Sequence, residues 1–282
     1  MAYTAIMPLY QAVILALVQG LTEFLPISSS GHLALAPWLL GWKDPGLTFD
    51  IALHLGTLVA IIIYFFKDWV QVLGQGFGLN WGSDPELKIN RNLLWLMALA
   101  SVPAGIAGLA LHKAADTTLR EPPIGMYVIG GLLIGVGLLM WWAERIGRNN
   151  KNIGKLGLRD AMWIGLAQAA AVIPGTSRSG STITAGLFCG YSRGAAARFS
   201  FLLSTPIIAA AATKAAWDLH KQGGIPPGMA MPFLVGVVVS ALSGTVVVAF
   251  LMRFLRLNSL HVFVWYRVAL GILVIALALA GR

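Results

Sequence analysis

Two stretches of the chain combine side chains that can perform phosphate chemistry. In the first, Glu23 precedes three consecutive serines and His32 follows them, and in the second Arg178 lies between Ser177 and Ser179. An arginine fork binds phosphate oxygens through paired hydrogen bonds and keeps its charge. A hydroxyl near a histidine can form a nucleophile and base pair, and a carboxylate can hold a divalent cation that bridges phosphate oxygens. The two stretches therefore predict a site for a phosphate or pyrophosphate group.

Each of these residues also has a structural alternative. Glu23 could be a carboxylate at headgroup level, His32 a helix-capping histidine, and Arg178 an interfacial arginine that snorkels. Arg267 lies only a few residues into the last apolar segment. It is either a basic residue that snorkels to the interface and marks topology, or a partner of the site. Ser29, three residues before His32, is the hydroxyl best placed for chemistry, whereas Ser28 and Ser179 are predicted to support packing or the backbone.

The composition predicts that these residues lie in a membrane protein. Of the 282 residues, 57% are hydrophobic and only 11% are charged, and the mean hydropathy is +0.77. Such a chain has too little polar surface to cover itself in water. Ten apolar segments follow one another, at about 8–25, 30–41, 49–66, 92–112, 124–143, 160–174, 180–190, 198–216, 230–252 and 262–281. Only the third, fourth, fifth, eighth, ninth and tenth approach the roughly 20 residues that a spanning helix needs.

The four shorter segments form two pairs, 8–41 and 160–190, and each pair is interrupted by a cluster rich in Pro, Ser and Gly. Non-helical backbone is tolerated at membrane depth only where it is buried in protein or lines a wet cavity. Each pair is therefore predicted to be a re-entrant helical hairpin, the alternative being two ordinary loops outside the membrane.

The two hairpins are related to each other along the chain. A shift of 149 positions aligns Gln19 with Gln168, Ser28 with Ser177 and Gly31 with Gly180. The predicted fold is an all-α polytopic membrane protein with an inverted-topology repeat, each half a re-entrant hairpin followed by three transmembrane helices. The chain is read as one membrane domain, 1–282, with repeat one at 1–143, a basic cytoplasmic linker at 144–159 and repeat two at 160–282. The two serine-rich tips would meet near the membrane midplane.

The net charge of +9 is read as a topology signal and not as a nucleic-acid footprint. If the linker is cytoplasmic, twelve Lys and Arg residues fall on its side of the membrane and six on the other, and both termini lie outside. The six are Lys43, Lys113, Arg120, Lys214, Lys221 and Arg282. The partners expected from this pattern are membrane lipids, including anionic headgroups, and no nucleic acid. The oligomeric state is left open, with a homodimer as one alternative.

Residues 19–32 resemble the first signature of the undecaprenyl-diphosphate phosphatases, the bacitracin-resistance family, and residues 174–183 resemble the second. The likeness covers most of the chain and includes Phe199–Leu203 and Trp265–Arg267. It implies an enzyme that converts undecaprenyl pyrophosphate into undecaprenyl phosphate and thereby recycles the lipid carrier for peptidoglycan and other envelope polymers. It further implies a Mg²⁺ or Ca²⁺ ion, the bacterial plasma membrane, and a site that opens to the outer face.

The resemblance also assigns roles to residues of this chain. It implies that Glu23 is the essential acidic residue and metal ligand, that Ser29 or His32 is the nucleophile or proton-transfer group, and that Arg178 grips the pyrophosphate. It places Ser177, Ser179 and Thr182 near the pyrophosphate that Arg178 grips. The full set of residues predicted to bind substrate is Gln19, Ser28, Ser30, Ser177, Ser179, Thr182 and Arg267. Family members carry Glu or Gln at the position of Gln19, so a mechanism that needs two carboxylates there is in doubt. Direct attack by water is a variant of the mechanism.

Two other classes of function are alternatives to the phosphatase. A membrane transporter or lipid flippase with an anion site at the midplane has the same composition and topology, and flipping of the product could coexist with hydrolysis. A purely structural scaffold would leave Glu23, His32 and Arg178 at membrane depth without a reason.

Overall fold

The computed structural model describes residues 7–116, 119, 121–221 and 223–281, and for 112–116 it describes the backbone only. Of the charges assigned above to the outer side, Lys113, Arg120 and Arg282 lie outside the described side chains. The described residues form twelve α-helices and no strand, as the all-α prediction requires. They are α1 Leu9–Thr22, α2 Ser29–Leu40, α3 Leu47–Tyr64, α4 Phe66–Gly76, α5 Pro85–Ile89, α6 Leu93–Asp116, α7 Ile124–Ile146, α8 Leu158–Ala170, α9 Arg178–Phe188, α10 Arg193–Lys221, α11 Ala230–Leu257 and α12 His261–Leu279.

Six of the described helices are long and apolar enough to cross a membrane, namely α3, α6, α7, α10, α11 and α12. These correspond to the six long segments of the sequence, so that prediction is confirmed. Helix α10 starts five residues before its predicted segment and ends five after it (Arg193–Lys221 against 198–216). The added turns contain the charged residues Arg193, Asp218 and Lys221, and the hydropathy-based segment stops short of them.

The four short segments form two helical hairpins, in which α1 packs against α2 and α8 against α9. Helix α1 has 14 residues and α9 has 11. At about 1.5 Å per residue these helices are about 16–21 Å long, which is too short for a hydrocarbon core of about 30 Å. The lengths suit hairpins that enter and return on one side, and the placement in a membrane stays a prediction.

The two hairpin tips share an uncommon backbone conformation. Ser28 and Ser177 have φ angles of +76° and +73°, a left-handed region that few residues other than glycine adopt. Each serine caps the helix that follows it, because its hydroxyl accepts a hydrogen bond from the amide of Gly31 or Gly180, at 3.2 and 3.0 Å. The aligned positions of the two halves therefore form the same local structure.

Packing between helices follows the same relation. Helix α1 lies along α11, and its counterpart α8 lies along α6, the counterpart of α11. Both contacts are close: a Cβ atom on Gly20 would lie 1.9 Å from Ser243 Oγ, and one on Gly165 would lie 2.3 Å from Ala100 O. Small residues permit such approaches between membrane helices. Two-fold related repeats would pair in this way, while the opposite orientation of the halves across the membrane stays a prediction.

The segment 67–91, which was predicted as a cytoplasmic loop, contains most of α4 and all of α5. Asp84 caps α5 by accepting the Leu87 amide at 3.0 Å, and Pro85 stands at the first helical position. Arg198 at the start of α10 binds Asp68 and Asp84 at 2.7 and 3.1 Å. Burial acts to raise the pKa of Asp84, but the Leu87 amide and the Arg198 guanidinium bring it below its ordinary value.

Candidate active site

The Glu23 carboxylate is the centre of the polar cluster. Glu23 follows the last residue of α1 and is buried. Its Oε1 accepts a hydrogen bond from Arg178 Nη2 at 2.9 Å, and its Oε2 accepts one from the Ser29 hydroxyl at 2.5 Å. Gln19 Nε2, one turn earlier on α1, donates to the same Oε2 at 3.1 Å. Residues from both hairpins therefore share one carboxylate.

Arg178 is the first residue of α9 and is held on two sides. Besides the bond to Glu23, its Nη1 donates to the Ser200 carbonyl at 3.1 Å, so α10 fixes the guanidinium plane. The Ser200 hydroxyl lies 2.6 Å from Thr182 Oγ1, one turn further along α9. Arg178 Nε has no hydrogen-bond partner among the described residues. A guanidinium with a fixed plane and a spare donor suits a phosphate oxygen, and it does not snorkel to the interface.

The amino-terminal ends of two helices converge on this cluster. Ser29 is the first residue of α2 and Arg178 is the first residue of α9, and both bond to Glu23. A helix amino terminus presents unpaired amides and about half a positive charge. Two such ends beside an arginine form a ready site for an anion of higher charge than a single carboxylate.

The two tips also bind each other directly. The Ser179 hydroxyl donates to the carbonyl of Leu25 at 3.1 Å and lies 3.4 Å from the carbonyl of Glu23. Ser28 and Ser177 cap their helices, as described above. For Ser28 and Ser179 this agrees with the predicted support of the backbone. None of these contacts tests whether these serines, Ser30 or Thr182 touch a substrate, and that role stays a prediction.

Arg267 contacts both tips, so of the two alternatives for this residue the structure excludes the snorkelling charge. Its side chain is fully buried in α12. The guanidinium donates to Pro26 O in the first tip and to Gly175 O and Thr176 O in the second, at 3.0–3.2 Å. Two further bonds reach carbonyls of α7, those of residues 132 and 133. Because these backbone carbonyls bind every guanidinium nitrogen, Arg267 acts as a positioning residue for both tips.

His32 stands beside the cluster and pairs with a tyrosine. Its Nδ1 lies 2.7 Å from Ser28 O, and since a carbonyl can only accept, Nδ1 carries the proton. Nε2 lies 2.7 Å from the hydroxyl of Tyr266, whose ring is stacked on the imidazole at 5.7 Å. The structure therefore pairs the Ser29 hydroxyl with Glu23, and not with His32 as the sequence spacing suggested. The bond to Ser28 O agrees with the capping alternative.

Four contacts of the cluster were missed by the sequence analysis: those of His54, Thr57, Ser200 and Tyr266. His54 Nε2 lies 3.4 Å from Glu23 Oε2, and its Nδ1 lies 2.7 Å from Asp50 O. Thr57 Oγ1 lies 3.4 Å from Gln19 Nε2. His54 falls within the apolar segment 49–66, so the rule that singled out Glu23 and His32 would have found it. Ser200 has no such signal, because it binds Arg178 through its backbone carbonyl.

The side chains of the site supply too few oxygen ligands to bind a divalent cation by themselves, so a bound substrate would have to supply the others. Among the described residues no three His, Cys, Asp or Glu side chains cluster as a ready metal site. Glu23 is a carboxylate ligand, and Gln19 Oε1 is a buried oxygen without a hydrogen-bond partner in the described chain. Mg²⁺ commonly takes one or two protein oxygens and completes its shell with phosphate oxygens and water. The donor set fits a cation that arrives with, or is completed by, a pyrophosphate.

Fold and site together define a class: a polytopic all-α membrane protein with an anion-receptive polar site between two helical hairpins. Comparison with known sequences specifies it further. The chain belongs to the family of bacitracin resistance protein BacA, whose family model matches residues 12–273. The resemblance found in the sequence is thereby confirmed.

Named relatives match over nearly the whole chain. A protein from Trichlorobacter lovleyi is 50% identical over 275 residues, which cover 98% of this chain and 99% of the relative. One from Pelotomaculum thermopropionicum is 44% identical over 277 residues, with 98% and 99% covered. One from Geobacter metallireducens is 46% identical over 261 residues, with 92% and 94% covered. Each of the three is named undecaprenyl-diphosphatase.

Proposed function

We propose that this chain is an integral membrane phosphatase that hydrolyses undecaprenyl diphosphate to undecaprenyl phosphate and inorganic phosphate. The family, the relatives named for this activity and the six apolar helices support the assignment. The observation that carries it is the Glu23 carboxylate, held at 2.9 Å by Arg178 and at 2.5 Å by the Ser29 hydroxyl where two helix amino termini meet. The product is the lipid carrier on which envelope polymers are assembled.

The substrate combines a long apolar tail with a small, highly charged head. The tail remains in lipid, and the diphosphate enters the polar cluster between the tips. Arg178 and the first amides of α2 and α9 neutralise its charge in a site with little water, where such interactions are strongest. Gln19, Ser30 and Thr182 are the neutral groups proposed to complete the contacts with phosphate oxygens.

Ser29 is the proposed nucleophile and Glu23 its base. Glu23 Oε2 takes the proton as Ser29 Oγ attacks the terminal phosphorus, and the bond from phosphorus to the bridging oxygen breaks. Undecaprenyl phosphate leaves with the electron pair of that bond. Glu23 passes its proton to the leaving undecaprenyl phosphate and is therefore a carboxylate again when water attacks the phosphoserine. It then accepts a proton from that water and donates it to Ser29 Oγ as the serine–phosphorus bond breaks, so inorganic phosphate leaves and the hydroxyl is restored. His32, whose two ring nitrogens are engaged by Ser28 and Tyr266, orients the first turn of α2.

A divalent cation, Mg²⁺ or Ca²⁺, is proposed as the cofactor. Glu23 and Gln19 Oε1 are the residues that would hold it, together with the phosphate oxygens. When bound, the ion supplies positive charge that offsets the charge building up on those oxygens. The proposed location is the bacterial plasma membrane, with the site open to its outer face, as the family resemblance implies. The distribution of basic residues favours both termini outside.

The test is the release of inorganic phosphate from undecaprenyl diphosphate by purified protein in detergent, where no transport gradient exists. Glu23→Gln and Ser29→Ala should lower turnover by at least about 10³-fold, because base or nucleophile is lost. Ser101→Ala is the matched control, since that hydroxyl donates to Met97 O within α6. A chelator should abolish the activity of the wild-type protein.

The outcomes separate the mechanisms. If Ser29→Ala retains turnover while Glu23→Gln does not, water is the nucleophile and Glu23 activates it. If only His32→Ala is inactive, the histidine attacks phosphorus. If the wild-type protein releases no phosphate in the presence of either cation, the phosphatase assignment is wrong and a transporter becomes the better reading.

A further inference from the structure

A positively charged cavity lies where the linker meets the end of the second hairpin, at the opposite end of α9 from the tip. It has a volume of about 530 Å³ and is bounded by the end of α7, the linker and the end of α9. Three basic side chains line it, those of Arg148, Lys151 and Lys155, and no acidic side chain does. The phosphatase chemistry described above uses none of these residues.

The cavity is preformed by backbone hydrogen bonds. The amides of Asn150 and Lys151 donate to the Gly190 carbonyl at 3.1 and 3.0 Å, and the Ser192 amide donates to the Lys151 carbonyl at 2.9 Å. The linker is thereby joined to the return end of the hairpin by a short parallel bridge. Because these hydrogen bonds already hold the backbone in place, binding of a ligand would not carry the entropic cost of ordering a flexible loop.

Two of the three cations have no counter-charge in the described chain. Lys151 pairs with Asp160 at 3.0 Å, and the nearby buried Glu144 pairs with Arg193. Arg148 and Lys155 are exposed and form no ion pair with a described residue. The carboxyl ends of α7 and α9 add about half a negative charge each, which two unpaired cations outweigh. The cavity is therefore net positive and attracts an anion.

The rim of the cavity indicates where that anion comes from. Ile146 and Phe188 line the opening and are 54% and 42% exposed, and Trp142, which stacks edge-on against Phe188 at 5.4 Å, is 51% exposed. Helix α7 is one of the candidate spans, so its end is expected at the membrane surface. Basic residues with an aromatic apolar rim at that level match a lipid phosphate and its acyl chains, whereas a soluble anion needs no apolar rim.

We infer that the cavity bounded by Arg148, Lys151 and Lys155 binds the phosphate headgroup of an anionic membrane phospholipid, with its acyl chains lying along Phe188 and Trp142. This site is separate from the proposed catalytic cluster, and its occupancy can be measured without substrate. It would hold the linker between the two repeats against the membrane surface through a lipid.

The test is native mass spectrometry of the detergent-solubilised, delipidated full chain titrated with phosphatidylglycerol or with phosphatidylcholine. The double variant Arg148→Gln/Lys155→Gln should bind phosphatidylglycerol about 25-fold more weakly, since each basic residue near an anionic lipid contributes about fivefold. Lys155→Gln alone, the milder change, should weaken binding about fivefold. The matched control is Lys88→Gln/Arg91→Gln, which removes two exposed charges of the same predicted side outside the cavity.

Three results would overturn the inference. Equal weakening in the cavity variant and in the control would mean diffuse attraction to a basic face. Equal affinity of the wild-type protein for phosphatidylcholine would mean that no anionic headgroup is recognised. Displacement of phosphatidylglycerol by millimolar inorganic phosphate, with no dependence on the acyl chains, would make the cavity a soluble-anion site. A size-exclusion profile like that of the wild-type protein establishes that each variant is folded.

Discussion

At the scale of single residues, the site depends on how many groups share the Glu23 carboxylate. Arg178, Ser29 and Gln19 all donate to it, and His54 stands 3.4 Å away. A buried carboxylate needs such partners, because an unpaired charge in a low-dielectric interior is costly. The same arrangement positions a hydroxyl against a base and an arginine beside both. The contacts that stabilise the buried charge of Glu23 are therefore the same contacts that position the groups proposed to react.

The fork of Arg178 can be tested apart from its charge. Arg178→Lys keeps the positive charge but cannot reach Glu23 and the Ser200 carbonyl with a planar pair of nitrogens. We expect turnover of undecaprenyl diphosphate to fall by about 10²–10³-fold, as when one donor to a developing charge is lost. Steady-state phosphate release measures the effect.

Arg253→Lys makes the same exchange at an exposed position near the end of α11 and serves as the control. It should leave turnover within about twofold of the wild-type rate, as expected of a surface change away from the site. Near-wild-type turnover of the Arg178→Lys protein would mean that charge alone suffices and that the bidentate role is wrong.

At the scale of elements, the two hairpin tips are the feature that brings the site together. Both turns contain non-helical backbone deep in the protein, so their carbonyls need donors. Arg267 supplies donors to Pro26 in one tip and to Gly175 and Thr176 in the other. The register of the tips, and with it the distance from Glu23 to Arg178, therefore depends on a residue of the last helix.

Removal of Arg267 should destabilise the protein more than any exposed charge does. Arg267→Met retains most of the side-chain volume but leaves several buried carbonyls without a donor, at a cost of about 3–5 kcal/mol in total. We expect the melting temperature in detergent to fall by about 10 °C. Differential scanning fluorimetry under conditions that keep the lipid content constant is the measurement.

The comparison is Arg253→Met, the same exchange at an exposed position of α11. Its melting temperature should remain within about 2 °C of the wild-type value. Should the two variants melt together, the contacts of Arg267 with the tips contribute no net stability, and its role as a positioning residue fails.

At the scale of the whole molecule, the packing of helices is the one expected of two related halves, and the inverted repeat stays a prediction. Helices α1 and α8 begin the halves, and each packs along a long helix of the other half, α11 and α6 respectively. Because each of these helices packs in the other half, neither half is expected to fold into a stable unit alone. Three spans per half place the second half in the opposite orientation, provided that both hairpins return to the side from which they enter.

The orientation can be read by labelling from outside the cell. In a Cys189→Ala background, which removes the one cysteine, Asn80→Cys lies in the loop predicted to be cytoplasmic and Ile225→Cys in a loop predicted to be outside. Both positions are exposed. A membrane-impermeant maleimide applied to intact spheroplasts should label position 225 and leave position 80 unlabelled until the membrane is opened.

The converse pattern would reverse the topology and place the linker outside. Labelling of both positions in intact cells would show that one of the two loops was assigned to the wrong side. Permeabilised cells provide the control, because both cysteines must then react.

The sequence by itself determined that this is a membrane protein, that six helices are long enough to span and that the four short segments pair as hairpins, whereas the phosphate chemistry of Glu23, Ser29 and Arg178 stays a prediction. These are local properties, because hydropathy, helix-breaking clusters and short motifs act over a few residues. Only the tertiary structure decided that Ser29 bonds to Glu23 and not to His32, that His54 approaches from α3, and that Arg267 joins the tips. Those contacts join residues up to 241 positions apart, and no local pattern specifies which distant backbone carbonyl a buried donor will reach.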